Sequence, residues 1–148
     1  MGQPLFPGGV NPADVRFYFD ADILEVGEVL ATVRPDMTYP GDPGATIHRR
    51  IRPACPVLHP SVKDPVWIPE VARRGWVILN RDRHIRDRRR QFDLVREHDA
   101  RLVVLVGDEA IGTWAQLEVI MTQWRRIEAL QAGPYIYTAS RTSWRRAL

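Results

Sequence analysis

Four aspartates and one run of arginines carry the chemistry this sequence could do. Asp20 and Asp22 sit in FYFDADIL (17–24), Asp64 opens DPVWIPEVARRGW, and Asp82 follows the apolar run GWVILN (75–80). Carboxylate oxygens are hard donors. Crowded together they repel one another until a divalent cation such as Mg²⁺ or Mn²⁺ lies among them. An ion held that way activates water for attack on a phosphodiester and neutralises the charge that builds on phosphorus. Asp22 has a second use. With Glu25 three residues on, it fits the start of a helix, where acids cap amide groups and meet the positive end of the dipole.

The basic residues are 20 arginines and one lysine, Lys63, for a net charge of +3. Six arginines fall in RDRHIRDRRR (81–90), immediately after the last apolar run named above. Such a run is either a solvated helix face or a footprint for a polyanion, since arginine forks onto phosphates and stacks on bases. Arg83, Arg86, Arg88, Arg89 and Arg90 could hold phosphates on one side of a cleft. Arg49, Arg50 and Arg52 could hold the other, giving affinity with little sequence preference.

The elements that must position these groups alternate. VRFYFD (15–20) reads as a buried strand, and Ile23, Val26, Gly27, Leu30 and Val33 follow at helical spacing. DMTYP (36–40) reads as a short strand and GWVILN as another. Between them Asp64-Pro65 reads as N-cap and first position of a helix with Trp67, Ile68, Val71 and Ala72 inward. A charged helix around 86–98, the strand RLVVLVG (101–107), a long helix 113–131 and the strand PYIYTAS (134–140) complete the series. In the long helix Trp114, Leu117, Ile120, Met121, Trp124 and Ile127 are expected in the core, as are Trp67 and Trp76.

Strands alternating with helices imply an α/β fold. Its parallel sheet is covered on both faces, with ligands at the carboxyl ends of the strands. Asp20, Asp64 and Asp82 would then share one rim. A length of 148 residues suits one domain over 14–148, after a flexible proline-broken arm, 1–13. The segment 41–63, with four prolines and no clean periodicity, is expected as a long functional loop, and 141–148 as a basic tail. No apolar run reaches membrane-spanning length, and the start lacks the features of a signal peptide. A single cysteine, Cys55, fits a reducing cytoplasm.

Several chemistries fail on motif grounds. There is no glycine-rich dinucleotide turn, no phosphate-binding GxxxxGK[ST] loop and no GxSxG nucleophile elbow. His48, Cys55 and His59 lack the fourth ligand and the spacing of a zinc site. The DxD step after a strand resembles the haloacid-dehalogenase phosphatases. The later lysine and acidic pair of that family are missing.

FYFDADI (17–23), DPVWIPEVARRGWVILNRDRHI (64–85) and the following strand–helix–strand resemble PIN-domain ribonucleases, in particular the VapC-like toxins of type II toxin–antitoxin pairs. The resemblance spans about residues 15–140. It implies a three-layer α/β/α sandwich with a mostly parallel sheet, and an endoribonuclease that holds Mg²⁺ or Mn²⁺ on Asp20, Asp64 and Asp82. Asn80 would stand where Ser or Thr is frequent and would orient a carboxylate or the attacking water. It further implies an RNA substrate, a cognate antitoxin protein, a homodimer and a cytoplasmic setting. A fourth acid would come from Asp87, Asp108 or Glu70. Two alternatives stay open: Asp64 serves only its helix, or the fold is a catalytically incomplete nucleic-acid or partner-binding module.

Overall fold

The structure is a computed structural model describing residues 9–81, 85–107 and 111–148; the side chains of 85–87 are outside that description. Its backbone is one sheet of six strands, in the spatial order Met37–Thr38, Phe17–Phe19, Val77–Arg81, Arg101–Leu105, Tyr135–Ala139 and Trp144–Arg146. The strands are β2 (Phe17–Phe19), β3 (Met37–Thr38), β6 (Val77–Arg81), β7 (Arg101–Leu105), β8 (Tyr135–Ala139) and β9 (Trp144–Arg146). All neighbours are parallel except β8 and β9, so the sheet is parallel with one antiparallel edge.

Side chains alternate across a strand, and the two cores follow from that alternation. Phe17, Phe19, Val77, Leu79, Val103 and Leu105 face one side, beneath α1 (Leu24–Ala31) and α4 (Thr113–Glu128). Tyr18, Ile78, Leu102, Val104 and Ile136 face the other, beneath α2 (Asp64–Arg73) and α3 (Ile85–His98). The result is the three-layer sandwich. Gly27 lets α1 lie directly on β2, because a Cβ there would stand 2.7 Å from the Phe19 Cβ. No described helix is long and apolar enough to cross a membrane.

Several expectations change. The segment 41–63 is not a structureless loop. It contains β4 (Ala45–Ile47) and β5 (Arg50–Arg52), an antiparallel hairpin, and β1 (Asn11–Pro12) pairs parallel with β5. Part of the N-terminal arm is therefore strand, and so is part of the basic tail, as β9. The hairpin turns through His48 and Arg49, both left-handed at φ 48° and 62°, the backbone that a two-residue type I′ turn requires.

A buried ion pair anchors this small sheet. Arg52 Nε donates to Asp42 Oδ2 at 2.6 Å, and both side chains are almost wholly enclosed. Asp42 also accepts from the Thr38 hydroxyl and the Gly44 amide, each at 2.8 Å. Arg52 Nη1 donates to the carbonyls of Ala31, the last residue of α1, and of Arg34 just beyond it. The cation thus satisfies carbonyls at the negative end of that helix. Arg52 is consequently not a nucleic-acid contact.

The long helix is also turned differently from its apolar pattern. Trp114 is 77% exposed and Met121 66% exposed, while Gln116 and Gln123 are buried. Val33, expected inward on α1, is 56% exposed.

Candidate functional site

The chain order 2-3-6 against the spatial order 3-2-6 makes the gap between β2 and β6 a topological switch point. After β2 the chain goes to one neighbour and returns on the other side, so the two connections diverge and leave a crevice at the carboxyl ends. Asp20 lies there as the residue after β2, with its amide donating to the Leu79 carbonyl at 2.9 Å. It is only 2% exposed, and burying a carboxylate so deeply is costly without compensating partners.

One such partner is the chain itself. Asp20 Oδ1 accepts from the Ala21 amide at 2.6 Å, and Asp20, in extended backbone, caps the 3-10 turn Ala21–Ile23. Asp22 was the expected cap. Instead it sits in that turn and reaches β6, where its Oδ2 accepts from the Arg81 amide at 3.4 Å. Glu25 does not reach back to form a capping box; its carboxylate accepts from the Thr113 hydroxyl on α4 at 2.8 Å.

Asp64 enters the same rim from α2. Lys63, not Asp64, is the N-cap, which places the Asp64 carboxylate in the first turn of the helix. Its Oδ1 accepts from the Trp67 indole at 2.9 Å and its Oδ2 from the Gln91 amide at 3.3 Å. Gln91 accepts in turn from Asn80 Nδ2 at 3.1 Å. A relay Asn80–Gln91–Asp64 therefore ties β6, α3 and α2 together. Asn80 is fully buried, and its Oδ1 has no hydrogen-bond partner among the described residues.

The phenol of Tyr18 senses this concentration of charge. Burial first, then the negative charge of Asp20, with Cys55, Asp64 and Asp22 adding, pushes its pKa far above the ordinary value. Asp20, Asp22 and Asp64 all lie within electrostatic reach of one buried hydroxyl.

Among the described residues no three His, Cys, Asp or Glu side chains lie together as a metal site. Asp82 and Asp108 fall outside the described residues, as does the side chain of Asp87. Glu70 is engaged elsewhere, accepting from Arg73 and Arg74 at 2.9 and 2.8 Å. The donors that are present fit a hard divalent cation in kind: carboxylates of Asp20 and Asp64 at one rim, beside an amide oxygen of Asn80.

Arg88, Arg89 and Arg90 are exposed on α3, one turn or less before Gln91. Arg49 and Arg50 are exposed at the hairpin. Trp67 is core, packed on Tyr18 with ring centroids 5.0 Å apart, and Trp76 packs against the same cluster. Cys55 is buried, and His59 bonds to Ser61 at 2.7 Å, so neither is poised for zinc.

Sequence reasoning missed Gln91. A lone glutamine on a charged helix carries no signal of its own, and only the packing of α3 beside α2 on the same face of the sheet gives it two polar partners. The profile of the PIN-like domain family matches residues 16–107, more than half of the chain. Neither a curated protein nor a solved structure matches it. The matched span runs from just before β2 to just after β7 and so contains the whole Asp20–Asp64–Asn80 rim: the chain belongs to the PIN-like domain family, a fold of nuclease type.

Proposed function

We propose that this protein is a metal-dependent endoribonuclease and the toxin of a toxin–antitoxin pair, working in the cytoplasm. The observation that supports the reading is a run of hydrogen bonds: the Asp20 amide meets Leu79 on β6, and Asp64 is linked through Gln91 to Asn80, the next residue of that strand. Asp20, Asp64 and, from the sequence, Asp82 would hold Mg²⁺ or Mn²⁺, which when bound supplies an acidified water and offsets charge at phosphorus.

The chain's own residues set the rest. Gln91 holds the Asp64 carboxylate by a hydrogen bond and is itself held by Asn80, so the Asp64 oxygens need not reorganise during reaction. Exposed Arg88, Arg89 and Arg90 hold phosphates of the strand flanking the rim, and Arg49 and Arg50 offer further cationic contacts. Affinity then depends strongly on salt and weakly on sequence. A cognate antitoxin would cover the acidic rim with a cationic side chain.

The test is a mixed RNA pool incubated with Mn²⁺ or EDTA beside Asp20→Asn, Asp64→Asn and Asp82→Asn. Metal-dependent cleavage lost in all three supports the reading. Cleavage surviving in Asp20→Asn refutes it. RNA retention without cleavage in the unaltered protein identifies a binding module instead.

A further inference from the structure

At the level of the acidic rim one register crosses the sheet. Asn80 on β6 pairs with Val104 on β7, and Val104 pairs with Thr138 on β8. Asp20 lies one step past the Phe19–Leu79 pair and so shares that level. At the far end of the register a recess of about 100 Å³ opens between α3 and the sheet. Val104 and Ile136 floor it, Phe92 of α3 forms a wall, and Thr138 brings a hydroxyl. Gln91, which donates to Asp64, lines the same recess, so the recess is continuous with the rim. Arg88 and Ala147, both exposed, stand at its edge.

We propose that this recess is a base-reading subsite, which takes the unstacked pyrimidine of a nucleotide beside the scissile phosphate. The inference rests on the nuclease reading above and adds to it a preference at one position of the strand. Three features of the recess select this occupant. Its apolar floor and aromatic wall suit a flat ring. Thr138 and Gln91 suit a ring whose edge donates and accepts hydrogen bonds. Gln91 gives one amide hydrogen to Asp64 and one lone pair to Asn80, and an amide has a second of each. Arg88 at the edge suits a ring tethered to a phosphate that stays outside.

Size and distance narrow the choice. A recess this small accepts a single ring more readily than the fused rings of a purine. Neighbouring strands lie about 4.8 Å apart, which sets Thr138 about 10 Å across the sheet from Asn80. A nucleotide next to the one held at the acids spans that separation. The arginines of α3 grip phosphates of any sequence, whereas a base lodged between Phe92 and the sheet is read by its shape and edge.

Fluorescence anisotropy in EDTA reads binding without turnover, using single-stranded uridine and adenosine oligonucleotides of about twelve residues. The unaltered protein is expected to bind the uridine strand about tenfold more tightly. Thr138→Val removes the hydroxyl and keeps the shape, and Ala147→Phe fills the recess from its exposed edge. Each should cut the preference to about twofold or less, with circular dichroism and melting unchanged and with the same salt slope, since no phosphate contact is lost. With Mn²⁺ and a mixed RNA pool, cuts should carry a pyrimidine at one fixed neighbouring position, an enrichment lost in Ala147→Phe. Equal binding of both strands overturns the subsite. So does a uridine preference that both variants keep, which the self-stacking of adenosines alone would produce. Cleavage without base preference removes the subsite and leaves the nuclease reading standing, whereas failure of every RNA to bind removes both.

Discussion

Replacing Asp42 with alanine tests what holds the hairpin to the body of the protein. The change removes the acceptor for three donors, the Thr38 hydroxyl, the Gly44 amide and Arg52 Nε. It also leaves the Arg52 guanidinium enclosed, held by the Ala31 and Arg34 carbonyls and facing no counter-charge from Asp42. Breaking a buried pair by deleting one partner costs about 3–5 kcal/mol, because the remaining charge is not solvated. Three lost hydrogen bonds at about 0.5–1.5 kcal/mol each give a similar figure, about 1.5–4.5 kcal/mol. For a domain of this size that corresponds to a melting temperature lower by about 8–16 °C. Thermal and urea unfolding measure it directly. The double change Asp42→Ala with Arg52→Met should cost clearly less than the sum of the singles, since it deletes the buried charge as well. A loss below about 1 kcal/mol for Asp42→Ala, or a double variant that costs the full sum, would show that the pair does not anchor the hairpin.

Gln91→Leu deprives Asp64 and Asn80 of a shared partner in one step, so about 1–3 kcal/mol of stability should be lost. RNA cleavage should fall with it, read as kcat at fixed fold by circular dichroism. Gly27→Ala forces a methyl group against Phe19 and Tyr39, and urea unfolding should show a loss of about 1–3 kcal/mol. Burial raises the pKa of the Cys55 thiol from its ordinary value of 9.0, and raises those of the Tyr18 and Tyr135 phenols from 10.0. The unfolded chain therefore ionises first. Stability from these groups is intact below pH 9 and falls as pH rises above it, which unfolding at pH 8 and pH 10.5 should separate. The Cys55 thiol should likewise resist a colorimetric thiol reagent until the chain is unfolded.

Much of the sandwich was legible along the chain because its signals are local. Short continuous apolar runs such as FYF and VIL, and the long spans of helical spacing, depend only on what each residue must bury. Asp20 was legible for the same reason: a carboxylate at the end of a buried strand has a fixed place once the sheet is parallel. The β4–β5 hairpin was not legible. Its turn is His48-Arg49, with none of the glycine or asparagine that usually signals a left-handed pair.

The long helix shows the limit of hydropathy. Apolar spacing puts Trp114 and Met121 inward, yet Gln123 occupies the core line because its amide donates to the Ser140 and Ser143 carbonyls at 2.7 and 3.2 Å. Those acceptors belong to a turn between β8 and β9 that no window of sequence around Gln123 contains. The same holds for Arg52, whose charge is tolerable inside only because Asp42 and the end of α1 arrive together around it.

The sequence by itself determined the order of the five parallel strands and four helices of the sandwich, the two-sided burial of the sheet, and the carboxylates that follow or precede its central strands. Only the tertiary structure decided which polar groups answer one another: Asp20 with the first turn, Asp22 with β6, Asp64 with Gln91, Arg52 with Asp42. The reason is range. Burial is set by each residue's own surface, whereas a hydrogen bond needs a particular partner within about 3 Å, and here those partners come from distant parts of the chain.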